Sequence, residues 1–128
     1  MILGLGIDIC PVGRMAQAVE HHGDRFTERV FDRSEIDYAG AGPLAFQRLA
    51  ARFAVKEAAM KALGAPEGIG FRDIVVTRSQ SGAPMLDLRG AALKMSESLG
   101  VIRTHLSITH SGDIAVAVVV LEGASSQG

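Results

Sequence analysis

Residues 44–63 read LAFQRLAARFAVKEAAMKAL, the longest stretch of the chain with helical periodicity. Gly64 follows as a helix stop, and Pro66 lies just beyond it. At about 100° per residue, Phe46, Leu49, Phe53 and Met60 form one apolar stripe. Glu57 falls inside that stripe, and Lys61 lies one turn further along, at its margin. A carboxylate on an apolar stripe is costly unless it is paired or binds a cation. Glu57 is therefore either the acidic half of an i,i+4 pair with Lys61 on a solvated edge or a functional carboxylate.

Upstream, ILGLGIDI at residues 2–9 alternates. Leu3, Leu5, Ile7 and Ile9 share one face, and Ile2, Gly4, Gly6 and Asp8 the other, which predicts a half-buried strand. Gly4 and Gly6 allow close backbone approach. Asp8 either caps the next helix or pairs with Glu57 in a site. Two carboxylates displaced from solvent, one from a strand end and one from mid-helix, suit Mg²⁺. That ion takes oxygen ligands and is typically held by one or two carboxylates plus substrate phosphates and water.

The Cys10-Pro11 pair predicts the end of the strand. A helix over 12–22, a short one over 24–31 and a Ser34-led one come next, with a loop at 38–43. Beyond the long helix, strands are expected at 73–78 and 85–88, joined by a turn through Ser81-Gly82. A helix at 90–99 stops at Gly100. THLSITH (104–110) and IAVAVVVLE (114–122) then form a hairpin across Ser111-Gly112-Asp113. The layout is α+β: one domain over 1–122, with a small, largely antiparallel sheet packed with helices and a flexible tail at 123–128. Within the hairpin, His105 shares a face with Ser107 and Thr109, whereas His110 follows Leu106 and Ile108 on the apolar face. Residues 114–121 are apolar on both faces, so this strand should be covered twice. Three or four helices do not supply both covers, and a homo-oligomer is expected.

Composition narrows the function. The 128 residues are 48% hydrophobic and 21% charged, which excludes a disordered chain. Thirteen Lys+Arg against 14 Asp+Glu leave a net charge of −1, which argues against wrapping nucleic acid. No apolar run reaches the roughly 18 residues of a membrane span. The first ten residues carry no basic n-region, so no signal peptide and a cytoplasmic protein are expected. Cys10, the single cysteine, excludes an internal disulfide and a Cys-rich metal site. Gly4-Leu5-Gly6 lacks the third glycine of a dinucleotide fingerprint, and no P-loop is present.

Three motifs add a resemblance. They are Gly6-Ile7-Asp8 with Arg14, the ungapped run RFAVKEAAMKALG from Arg52 to Gly64, and HLSITH from His105 with the AVAVV strand up to Val119. Gly82-Ala83-Pro84 is a looser fourth. In this order and at this length the chain resembles the holo-[acyl-carrier-protein] synthases, the small type of 4′-phosphopantetheinyl transferase. The resemblance implies Mg²⁺-dependent transfer of the phosphopantetheine arm of coenzyme A to a serine of an apo acyl carrier protein, releasing 3′,5′-ADP. It implies Asp8 and Glu57 as metal ligands, Lys61 and Gly64 at the phosphates, and Gly82, Pro84 and His105 near the nucleotide end. Arg14 would contact the acidic carrier, and Arg25 and Arg29 extend that surface. It also implies a trimer with sites between subunits. One departure stands out: Gly64-Ala65-Pro66 replaces a glycine-rich Gly-Thr-Gly turn, and Pro66 has no N–H to offer phosphate. Two other classes fit the residues, a non-catalytic oligomeric module that keeps the metal site and a small Mg²⁺-dependent nucleotide phosphohydrolase. Whether the carrier serves fatty acid or polyketide assembly is left open.

Overall fold

The structure is a computed structural model and describes residues 1–125. Its centre is helix α4 (Ala45–Ala62), laid across a three-stranded antiparallel sheet of β1 (Ile2–Pro11), β5 (Ile114–Gly123) and β4 (Val101–Ser111), in the order β1-β5-β4. Helices α1 (Val12–His22), α2 (Asp24–Val30) and α3 (Arg33–Ala39) link β1 to α4. A separate hairpin of β2 (Ile74–Arg78) and β3 (Pro84–Leu88), then α5 (Gly90–Leu99), completes the α+β arrangement.

The sequence dictates how close α4 comes to the sheet. Ala50, Ala51, Ala54, Ala58, Ala59 and Ala62 are all buried, and Ala58 and Ala62 face the glycines of β1. A Cβ at Gly6 would stand 1.8 Å from the Ala58 carbonyl oxygen, and one at Gly4 would stand 2.0 Å from that of Ala62. Backbone meets backbone here, with no room for a side chain. The buried face of α4 is thus the alanine face. Of the expected stripe, Leu49 is buried, while Phe46, Phe53 and Met60 sit half-buried beside the alanine face, with Glu57.

The same contact decides which face of β1 is covered. Gly6 and Cys10 are buried, whereas Leu5, Ile7 and Ile9 are 64%, 59% and 57% exposed. In register, Ile7 lies opposite Val118 and Val118 opposite Ser107, so the outer sheet face is an apolar strip crossing two strands. β5 is therefore covered on one side only within this chain.

Other boundaries shift slightly. β1 runs through Pro11, which an edge strand tolerates because its N–H side faces away from the ladder. Asp32, and not Ser34, caps α3: its carboxylate accepts from the Ser34 N–H, while Glu35 accepts from the Asp32 N–H at 2.9 Å. Tyr38, expected in a loop, belongs to the last turn of α3. β5 takes in Gly123, and residues 126–128 of the expected tail lie outside the described residues.

One buried ion pair had no signal in the hydrophobic pattern. Lys56 and Glu35 are both fully buried, with Nζ 2.8 Å from Oε1. Lys56 also donates to the Phe71 and Ile74 carbonyls, and Glu35 Oε2 accepts from the Val76 N–H at 3.0 Å. Burial pulls the lysine below its ordinary value and the facing carboxylate opposes that shift. The pair ties α4 to α3 and β2.

Candidate active site

Asp8 arrives on the edge strand β1, on the face turned toward α4 and opposite Ala117. Lys61, from the last turn of α4, donates to Asp8 Oδ1 at 3.0 Å and to the Ile7 carbonyl at 3.0 Å. The expected i,i+4 alternative does not form: Lys61 pairs with the strand, and Glu57 has no ion pair or hydrogen bond among the described residues. Burial, then the charge of Asp8, raises the Glu57 carboxyl above the ordinary carboxylate range, and Lys61 opposes them. Cys10 lies close by. Burial foremost, with Asp8 and Glu57 adding and Arg14 opposing, pushes its thiol up to about 11, so it is an inert core thiol. Two carboxylates and one ammonium thus converge, with Glu57 left without a hydrogen bond or ion pair among the described residues. No group of three or more His, Cys, Asp or Glu side chains stands at metal-binding distance among the described residues. A pair of hard oxygen donors of this kind fits Mg²⁺, which draws its remaining ligands from water and substrate.

The loop after α4 behaves differently from a phosphate-cradling turn. Gly64 has φ +89 and donates its N–H to the Lys61 carbonyl, while Ala65 donates to Met60 at 2.8 Å. Both amides close the helix end. Ala65 is the one non-glycine residue with positive φ, at +50, among the described residues.

A second cluster forms a cleft of about 220 Å³ lined by Tyr38, Arg52, Arg78, Gly82, Pro84 and His110, among others. Arg52 is 5% exposed, and its Nε has no hydrogen-bond partner. Within this chain Gly82 and Pro84 line this cleft together with His110. His105 points from the opposite face of β4, 2.9 Å from Glu122 Oε1. Alternation along THLSITH already separated the two histidines onto opposite faces; the choice between them did not follow from it. Arg48, Arg78 and Tyr38 carried no singular sequence signal, and Arg52 entered only as the first residue of the central motif, because three elements, α3, α4 and β2, bring the four together.

Arg14 on α1 and Arg25 and Arg29 on α2 are exposed, with no ion-pair partner among the described residues. Arg25 and Arg29 share a cleft of about 380 Å³ with His22 and Phe26.

The family model of the 4′-phosphopantetheinyl transferase superfamily matches residues 4–119. A holo-[acyl-carrier-protein] synthase of Maridesulfovibrio salexigens is 50% identical over 125 residues, covering 95% of this chain and 99% of that protein. Among solved structures, the holo-[acyl-carrier-protein] synthase of Neisseria meningitidis superposes with a TM-score of 0.82 at 35% identity, over 95% of this chain and 99% of its own. The Helicobacter pylori synthase, in complex with coenzyme A, gives 0.81 at 31%, over 92% and 99%. With fold, length and central motif in agreement, the chain belongs to the 4′-phosphopantetheinyl transferase superfamily, among the holo-[acyl-carrier-protein] synthases, and is a transferase.

Proposed function

We propose that this protein moves the 4′-phosphopantetheine arm of coenzyme A onto a serine hydroxyl of an apo acyl carrier protein and releases 3′,5′-ADP. The observation that carries this reading is Glu57: a half-buried, unpartnered carboxylate beside the Asp8–Lys61 pair. In the reaction the serine oxygen bonds to the phosphorus bearing the pantetheine arm. The bond from that phosphorus to 3′,5′-ADP breaks, and the serine proton passes to Glu57 or to a water it orients. Lys61, steadied by Asp8 and the Ile7 carbonyl, presents its ammonium to the phosphates. Asp8 and Glu57 would hold Mg²⁺, which when bound neutralises charge on the pyrophosphate and the departing nucleotide.

The arginine cleft at Gly82 and Pro84 is read as the nucleotide end of the site. Coenzyme A bound to the H. pylori relative supports this substrate class. Arg14, whose charge reaches Cys10 beside Asp8, and Arg25 and Arg29 provide the surface for the acidic carrier. The outer sheet strip of Leu5, Ile7, Ile9 and Val118 is proposed to be covered in a homotrimer with sites between subunits. A cytoplasmic site of action accords with both substrates. The test is incubation with coenzyme A, Mg²⁺ and a panel of apo carrier proteins, read by intact mass. Gain of one phosphopantetheine on at least one carrier is expected, and no gain on any rejects the reading.

A further inference from the structure

Three guanidinium groups meet over one ring. The Cζ atoms of Arg52, Arg78 and Arg48 lie 3.8, 4.9 and 5.6 Å from the centroid of Tyr38. None of the three has a carboxylate partner within ion-pair distance among the described residues. Arg48 reaches the Ala39 carbonyl at 3.4 Å, and Arg78 Nε donates to the Gly82 carbonyl at 3.0 Å. Arg52 is buried with its Nε unpartnered. Like charges gathered in a part-desolvated cleft repel one another. The π face of Tyr38 attracts each cation from its own direction and offsets that repulsion before any ligand enters. Carried on the last turn of α3, the ring thus orders arginines from α4 and β2.

We propose that Tyr38 is a positioning residue that assembles the anion-binding wall of this cleft, holding Arg52, Arg78 and Arg48 ready for a phosphate monoester of the nucleotide substrate. The proposal rests on the reading of this cleft as the nucleotide end. It rests on the ring face, which meets all three guanidinium groups, whereas the phenol oxygen interacts with Arg52 alone. Deleting the ring therefore loosens the grip on the monoester and leaves the reacting pyrophosphate alone.

The experiment compares coenzyme A with dephospho-coenzyme A, which lacks the monoester, as donors for wild type, Tyr38→Phe, Tyr38→Leu and Tyr38→Met. Wild type should prefer coenzyme A. Tyr38→Leu and Tyr38→Met should each lose about tenfold in kcat/KM for coenzyme A through KM, with kcat within about twofold and dephospho-coenzyme A little affected. Their affinity for 3′,5′-ADP, followed by calorimetry, should fall by a similar factor. Tyr38→Phe should stay within about twofold of wild type. Equal losses on both donors would reduce Tyr38 to a packing residue and overturn the proposal, as would a Phe variant no better than Leu. A wild type that transfers from both donors without preference overturns it too while leaving the transfer reading intact; a wild type that transfers from neither rejects the transfer reading itself.

Discussion

Glu57 and Asp8 reach one point from two elements, and a double-mutant cycle reads that coupling directly. Asp8→Asn and Glu57→Gln keep size and remove charge, so each should lower kcat/KM by about 10²-fold or more. The double variant should be little worse than the poorer single one, because the second change finds the site already broken. Additive losses would separate the two residues. The sign of the Glu57 shift adds a check on stability. Its folded-state value is raised, so the folded, metal-free protein binds the proton more tightly than the unfolded chain. Stability is gained as pH falls into the window between the raised and ordinary values and lost as pH climbs above it. Glu57→Gln should then be more stable than wild type near neutral pH in chelator, and the advantage should vanish below the ordinary carboxylate range. Ala65 is a separate residue-scale case, an alanine in left-handed backbone. Ala65→Gly should stabilise the fold by about 1 kcal/mol in urea denaturation, and a loss would contradict the assignment of strain. Asp8 and Glu57 were legible in the sequence because each breaks a periodic pattern. Which histidine lines the arginine cleft was not, because a period of two sorts faces without saying which face meets the hairpin of β2 and β3.

Helix α4 and strand β1 show what periodicity reads and what it misses. Their existence follows from the pattern of residues 44–63 and 2–9, with ends within two residues. Their faces do not. On apolarity alone, Phe46, Phe53 and Met60 should face the sheet and Leu5, Ile7 and Ile9 the core. The structure instead joins alanines to glycines, because small residues let a helix lie closer to a sheet than large ones do. Gly6→Ala tests that contact. The new methyl would meet the Ala58 backbone carbonyl, which has no rotamer to swing away. The variant should lose about 3 kcal/mol or more, toward the upper end of overpacking costs. A melting temperature equal to wild type would disprove the close approach. The Lys56–Glu35 pair escaped for another reason: a lysine beside Glu57 reads as surface charge until its carboxylate partner, 21 residues away, is brought in by α3.

At the scale of the whole molecule, the proposed trimer accounts for both the uncovered sheet face and the split between the Asp8–Glu57 cluster and the arginine cleft. Val118 lies in the middle of the outer strip, opposite Ile7 and Ser107, with its inner-facing neighbours Ala117 and Val119 buried. A charge at position 118 would be desolvated on assembly and would be tolerated in a lone chain. Val118→Glu should shift sedimentation from trimer to monomer at micromolar concentration and abolish transfer while the fold persists by circular dichroism; a trimeric wild-type mass is the companion expectation. An active monomer would confine each site to one chain. The strand apolar on both faces raised the expectation of a second cover, but which strands share the strip needed the register. The most direct measurement of the central claim is release of 3′,5′-ADP from coenzyme A in Mg²⁺, with and without apo carrier protein, by wild type and Glu57→Gln. The account predicts release that matches carrier modification one for one, none without carrier, and little from the variant. Release without carrier, or a Glu57→Gln variant that keeps wild-type turnover, would contradict it.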